Sequence, residues 1–216
     1  MFFFPLSLSI LLFGLLTSTC SFSEGSANLG LASNYVWRGK TQSNDEIAAS
    51  GGLDYSTESG FYAGTWTSML SGGSYELDLY GGFSKEVNGV TYDIGIISYQ
   101  YPNDNDYFNE IYLNLAYSDF VFAMATTFDS KDNLGAEFSN GDLYLSLVYS
   151  HEFAYEIQWA ATLGHYDFDD DIGDDYTHYN ISASKHDFTL ALDTTNNLTS
   201  NNDTILSLAY SKTFEF

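Results

Sequence analysis

The sequence predicts an all-β fold: a transmembrane, up-and-down antiparallel β-barrel of twelve strands. Three observations carry this. Apolar and polar residues alternate with a period of two in stretches of roughly ten residues, from about residue 28 to the last residue. The connections between stretches are alternately short and longer and more polar. The chain stops on a bare aromatic residue, Phe216, as the last strand of an outer-membrane barrel typically does.

The elements follow in order. Met1 to about Ser23 holds no charged residue and an apolar run, Leu8–Leu16, so residues 1–23 read as a cleaved secretory signal peptide, leaving 24–216 as the barrel. Cys20, the single cysteine, excludes an intrachain disulfide, and Thr17 and Thr19 before it fit a lipoprotein signal poorly. Leu29, Leu31, Tyr35 and Trp37 mark a first strand over about 28–38, and Ala49, Gly51, Leu53 and Tyr55 a second. Phe61–Leu70 is the third, with either face able to point outward. In the fourth, Tyr75, Leu77, Leu79 and Phe83 oppose Glu76, Asp78, Tyr80 and Ser84. Asn88-Gly89 is the strongest hairpin signal, and Val90, Tyr92, Ile94 and Ile96 alternate beyond it.

Residues 102–106 form a loop that contains Pro102, the one proline beyond the leader, so no strand loses a ladder donor. Ile111–Tyr117, Phe120–Phe128, Asp142–Tyr149 and a stretch from Glu156 to Leu163 make the next four strands. Tyr176–Lys185, Phe188–Asp193 and Thr204–Phe216 complete the twelve. In the last, Leu206, Leu208, Tyr210, Phe214 and Phe216 share one side, with Lys212 placed to snorkel to an interface. Short connections (near 57–60, 86–89, 118–119, 151–154 and 185–187) alternate with longer ones (39–46, 71–74, 102–106, 129–140, 167–175 and 195–203). This is the asymmetry of barrels with tight periplasmic turns, and it puts both termini in the periplasm of a Gram-negative cell.

Composition narrows the function. With 29 Asp and Glu against 6 Lys and Arg, the net charge is −23. Nothing so acidic can neutralise phosphates, which excludes nucleic-acid binding. Eighteen Tyr and 17 Phe argue against disorder. Alternation alone does not tell inside from outside. The leader, the aromatic load and Phe216 favour a membrane barrel over a soluble one.

The segment Ser33-Asn34-Tyr35-Val36-Trp37-Arg38-Gly39-Lys40-Thr41-Gln42-Ser43 resembles the opening motif of the TorF family of porins. Gly60–Trp66, Glu76–Phe83 and Tyr92–Gly95 extend the resemblance, which weakens after about residue 120. It implies an outer-membrane barrel and a pore, and brings no catalytic residue.

If the apolar faces meet lipid, the lumen is lined by Arg38, Asp54, Glu76, Asp78, Asp93, Glu110, Asp142, Glu156 and Asp193. A water-filled acidic pore concentrates cations, so passive diffusion of small hydrophilic solutes with a cation preference is expected. The alternative is a filled, non-conducting structural or adhesion barrel, since twelve strands lie between barrels that fill themselves and those that leave a channel. Residues 129–140, with Leu134, Ala136 and Phe138, are the expected constriction.

The Asp-rich stretch 167–175 supplies hard oxygens, with Asp169, Asp171 and Asp175 as candidate metal ligands, but lacks the EF-hand spacing. It reads as an outer loop among lipopolysaccharide phosphates. No cofactor is expected. His178 and Ser182 share a strand face, which would suit a hydrolase only if that face met lipid; His165, near the Asp cluster, has no specific spacing. His151 and His186 fall in turns. The chain reads as a non-enzyme, with its partners being outer-membrane lipid and the solutes that cross it, and with homo-oligomerisation left open.

Overall fold

The computed structural model describes residues 24–131, 138–169, 174–196 and 204–216. The leader and Cys20 lie outside them, as do Asp171, Leu134 and Ala136. The strands are β1 (Glu24–Ala32), β2 (Val36–Trp37), β3 (Lys40–Thr41), β4 (Ala48–Ser56) and β5 (Phe61–Met69). They continue as β6 (Tyr75–Val87), β7 (Val90–Tyr101), β8 (Asp106–Tyr117), β9 (Phe120–Ser130) and β10 (Leu143–Phe153). The last are β11 (Ile157–Asp167), β12 (Tyr176–Lys185), β13 (Phe188–Thr195) and β14 (Ile205–Glu215).

Twelve of these strands, β1 and β4 to β14, form one closed antiparallel barrel in which each wall strand pairs with the next wall strand along the chain and the last returns to the first. β1 closes it, pairing with β4 on one side and β14 on the other. The first and last wall strands meet at their ends in two backbone hydrogen bonds, Gly25 N–H to Phe216 at 3.1 Å and Phe216 N–H to Gly25 at 2.9 Å. Closure leaves no ladder edge, the condition for a sheet surrounded by hydrocarbon.

The alternation orients the wall. Leu79 is 51% exposed, whereas Asp78 beside it on β6 is fully buried. Leu29, Leu53, Ile94, Ile96, Leu147, Leu163, Leu206 and Leu208 all face outward, and Glu76, Asp93, Glu110, Asn114, Asn180 and Asp193 face inward. A protein folded for water has the opposite arrangement. β5, ambiguous in sequence, turns Tyr62, Trp66 and Ser68 inward and Phe61 and Met69 outward.

Packing fixes the register locally. Gly64, Gly82 and Gly95 stand directly opposite Tyr80, Tyr62 and Tyr112. Each tyrosine ring lies across its glycine; a Cβ on Gly64 would sit 2.5 Å from the Tyr80 ring. Asn88-Gly89 forms the expected tight turn, both residues at positive φ (54° and 80°).

Three expectations change. The first wall strand spans Glu24–Ala32, not 28–38; the chain leaves the wall at Ser33 and turns residues 34–43 inward, with β2 and β3 as a separate small hairpin and 44–47 exposed. Tyr35 and Trp37 keep a period of two in either setting, so periodicity could not separate them. Glu156 lies in a 3-10 turn (Ala154–Glu156), exposed and at φ 60°, so it does not line the lumen. His151 belongs to β10, where its Nδ1 lies 2.8 Å from Asp119 Oδ2; His186 is in a turn.

Candidate functional site

The site is the inserted hairpin and the wall it meets. The hairpin carries its own frame. Asn34 Oδ1 accepts from Thr41 Oγ1 at 2.6 Å, and Asn34 Nδ2 donates to Asp45 at 2.6 Å. Ser43 Oγ accepts from Tyr35 N–H at 2.9 Å and donates to the Glu46 carbonyl at 2.7 Å, while Gln42 N–H donates to Tyr35 O at 2.7 Å. At its tip, Arg38 and Gly39 both take positive φ (47° and 83°), the two-residue turn that matches strand twist. Gly39 packs so close to His178 on β12 and Thr195 on β13 that a Cβ has no room.

That turn aims Arg38 across the lumen. Its Nη1 and Nη2 donate to Glu110 Oε1 and Oε2 at 2.7 and 2.6 Å, a bidentate ion pair buried on both sides. The guanidinium carbon sits 4.2 Å from the Trp37 ring centre, 4.1 Å from Tyr144 and 5.3 Å from Tyr166. Beside it, Trp37 packs edge-on against Tyr99, Phe108 and Phe138 at 5.5 to 6.2 Å. Lys40 lies 4.4 Å from the Tyr176 ring. Tyr35, wholly buried, donates its hydroxyl to Glu76 at 2.7 Å. Burial pushes that hydroxyl well above its ordinary pKa, and the Glu76 charge adds to the rise, so it stays protonated and donating.

The other sequence-predicted lumen residues sit in separate networks. Asp54 accepts from Tyr80, and Asp93 from Tyr62 at 2.5 Å and Asn114 at 3.0 Å; Tyr62 and Tyr112 also bond to each other. Asp193 accepts from Asn180 at 2.9 Å. Asp142 stands just before β10 and ties two long connections, accepting from Ser139 N–H at 2.8 Å and Asp169 N–H at 2.9 Å. Asp78 differs: it is fully buried, and neither of its oxygens has a hydrogen-bond partner. It stands directly across from Tyr99, whose hydroxyl is also unpaired.

Among the described residues, no group of three His, Cys, Asp or Glu is arranged to hold a metal. Asp175 instead accepts from Phe168 N–H at 3.0 Å, and Asp171 is outside the described residues. His178 and Ser182 both face the lumen, and His178 pairs with the Tyr144 hydroxyl at 2.9 Å. His165 is exposed beside Thr177. Phe138, at the end of the expected constriction, does pack against Trp37; Tyr144 and Tyr166 carried no sequence signal beyond their place on an inner face.

The fold has solved counterparts. A structure titled "KdgM porin" superposes with a TM-score of 0.54 at 9% identity, covering 88% of this chain and 98% of that one. A KdgM porin in complex with disordered oligogalacturonate gives 0.53 at 7% identity, covering 89% and 98%. A membrane protein from a study of in-meso crystallisation gives 0.60 at 10% identity, covering 89% and 84%. A comparison with the curated proteins finds no match. The family described as "Bacterial protein of unknown function (Gcw_chp)" matches residues 17–214, nearly the whole chain, and the chain belongs to that family.

Proposed function

We propose that the chain is an outer-membrane channel for passive diffusion of small hydrophilic solutes, cation-preferring, with both termini in the periplasm. The observation that carries this is the inverted wall: leucine and isoleucine outward, buried carboxylates inward, around a closed barrel. Six inward carboxylates (Asp54, Glu76, Asp78, Asp93, Glu110 and Asp193) face two cations from the hairpin, Arg38 and Lys40, so the field inside is negative. The likeness in fold to porins supports the same reading, as does the resemblance of Ser33–Ser43 to the TorF porins. Lipid and lipopolysaccharide are then its surroundings, and residues 1–23 its cleaved leader.

A second reading has its own observation. The hairpin fills part of the lumen with Tyr35, Trp37 and Arg38, which favours a barrel that is shut at rest. Single-channel recording of the refolded protein in a planar bilayer under a KCl gradient decides between them. Discrete steps with a cation-directed reversal potential support the channel; a folded barrel that passes no current supports the shut one.

A further inference from the structure

The cage around Arg38 has a ligand chemistry of its own. Its walls belong to three barrel strands, Glu110 on β8, Tyr144 on β10 and Tyr166 on β11, whereas its occupant belongs to the inserted hairpin. Glu110 offers both carboxylate oxygens to two guanidinium nitrogens, and the two tyrosine rings lie close to the guanidinium carbon. This arrangement reads a planar, forked cation: the carboxylate matches the fork and the rings take up its charge. A compact ammonium cannot use both oxygens in the same way. The strand ladders from β8 to β11 pair without help from Arg38, so the wall does not depend on that residue to close. Glu110, however, is only 1% exposed, and without Arg38 it would be a buried carboxylate in need of a cation.

We propose that Glu110, Tyr144 and Tyr166 form a recognition cage for small guanidinium-bearing cations, with Arg38 as a tethered competitor that occupies it at rest. The cage does not rest on the channel reading, since binding needs no conduction. Tethering gives Arg38 a high effective concentration, so an added cation loses to it in the native chain and gains access when it is removed.

The test uses the full chain refolded in detergent. Arg38→Ala is titrated with methylguanidinium chloride at constant ionic strength, following tryptophan fluorescence, to which Trp37 beside the cage contributes, and the unfolding temperature. The expected result is a saturable change at millimolar concentration, at least about tenfold weaker in the native chain because of the tether. Methylammonium should bind more weakly than methylguanidinium, and the response should vanish in Arg38→Ala with Glu110→Gln. No saturable response, an equal response to methylammonium, or an unaltered response in the double variant overturns the proposal. Should Arg38→Ala fail to refold, Arg38→Lys keeps a charge facing Glu110 without the fork. Methylguanidinium should then still saturate, at higher concentration, and a flat titration overturns the cage.

Discussion

Arg38 and Glu110, 72 residues apart in sequence, meet through two hydrogen bonds of 2.7 and 2.6 Å and are 6% and 1% exposed. A residue at the tip of a two-residue turn is thereby fixed to the far wall of the barrel. Removing one partner leaves a buried charge alone, which costs more than removing both.

Glu110→Gln is therefore expected to destabilise the folded barrel by about 3–5 kcal/mol. Replacing both residues by apolar ones, Arg38→Met with Glu110→Leu, should recover most of that loss. Urea unfolding of the refolded protein measures both. A single variant no less stable than the double one would show that the pair does not hold the hairpin.

Trp37→Ala should enlarge the lumen, since Trp37 packs against Tyr99, Phe108 and Phe138. On the channel reading, single-channel steps grow or appear where the native chain shows none. Trp37 is only half-buried, so the stability loss should fall below the ~3–5 kcal/mol of a fully buried tryptophan. Unchanged steps would place the narrowest point elsewhere.

Asp78→Asn addresses the carboxylate without a partner. Asp78 is fully buried, on the same inward face as Glu76 and two residues from it. As an anion Asp78 would be an unpaired buried charge beside a like one, so the neutral amide should stabilise the barrel by up to about 1–3 kcal/mol, with the gain largest at high pH where the carboxyl is forced to ionise. Combined with Glu76→Gln it should also shift the reversal potential toward zero. A destabilised Asp78→Asn would mean that the charge is compensated in the folded protein.

The barrel was legible from sequence because a period of two over many strands has few other solutions, and the turn at Asn88-Gly89 announces itself chemically. Inside and outside could not be told from alternation alone; the leader, the aromatic load and Phe216 pointed to apolar residues outward, and the exposed Leu79 beside the buried Asp78 agrees. The hairpin was not legible: Tyr35 and Trp37 alternate as wall residues do, and only tertiary contact turns them inward. Arg38 was read as a lumen residue from its place in the pattern; that it is buried against Glu110 could not be inferred, because local spacing carries no information over 72 residues. Glu156 failed for a related reason: it extends the alternation of β11 by one residue on the N-terminal side, and backbone geometry, not pattern, starts the strand only after it.

The Gly64–Tyr80 pair makes a prediction independent of any transport reading. A Cβ on Gly64 would sit 2.5 Å from the Tyr80 ring, whose hydroxyl donates to Asp54. Gly64→Ala must push the ring aside and strain or break that bond, an overpacking cost of about 1–3 kcal/mol. Tyr80→Ala removes the ring and its bond, so adding Gly64→Ala to it should cost little more. The two changes are therefore expected to be strongly non-additive, with a coupling of about 0.5–3 kcal/mol, as for residues in direct contact. Urea unfolding of the two single variants and the double variant gives the coupling. Additive losses would mean that the ring does not lie over Gly64 in the folded protein, and the close cross-strand packing assigned to this stretch of the wall would have to be withdrawn.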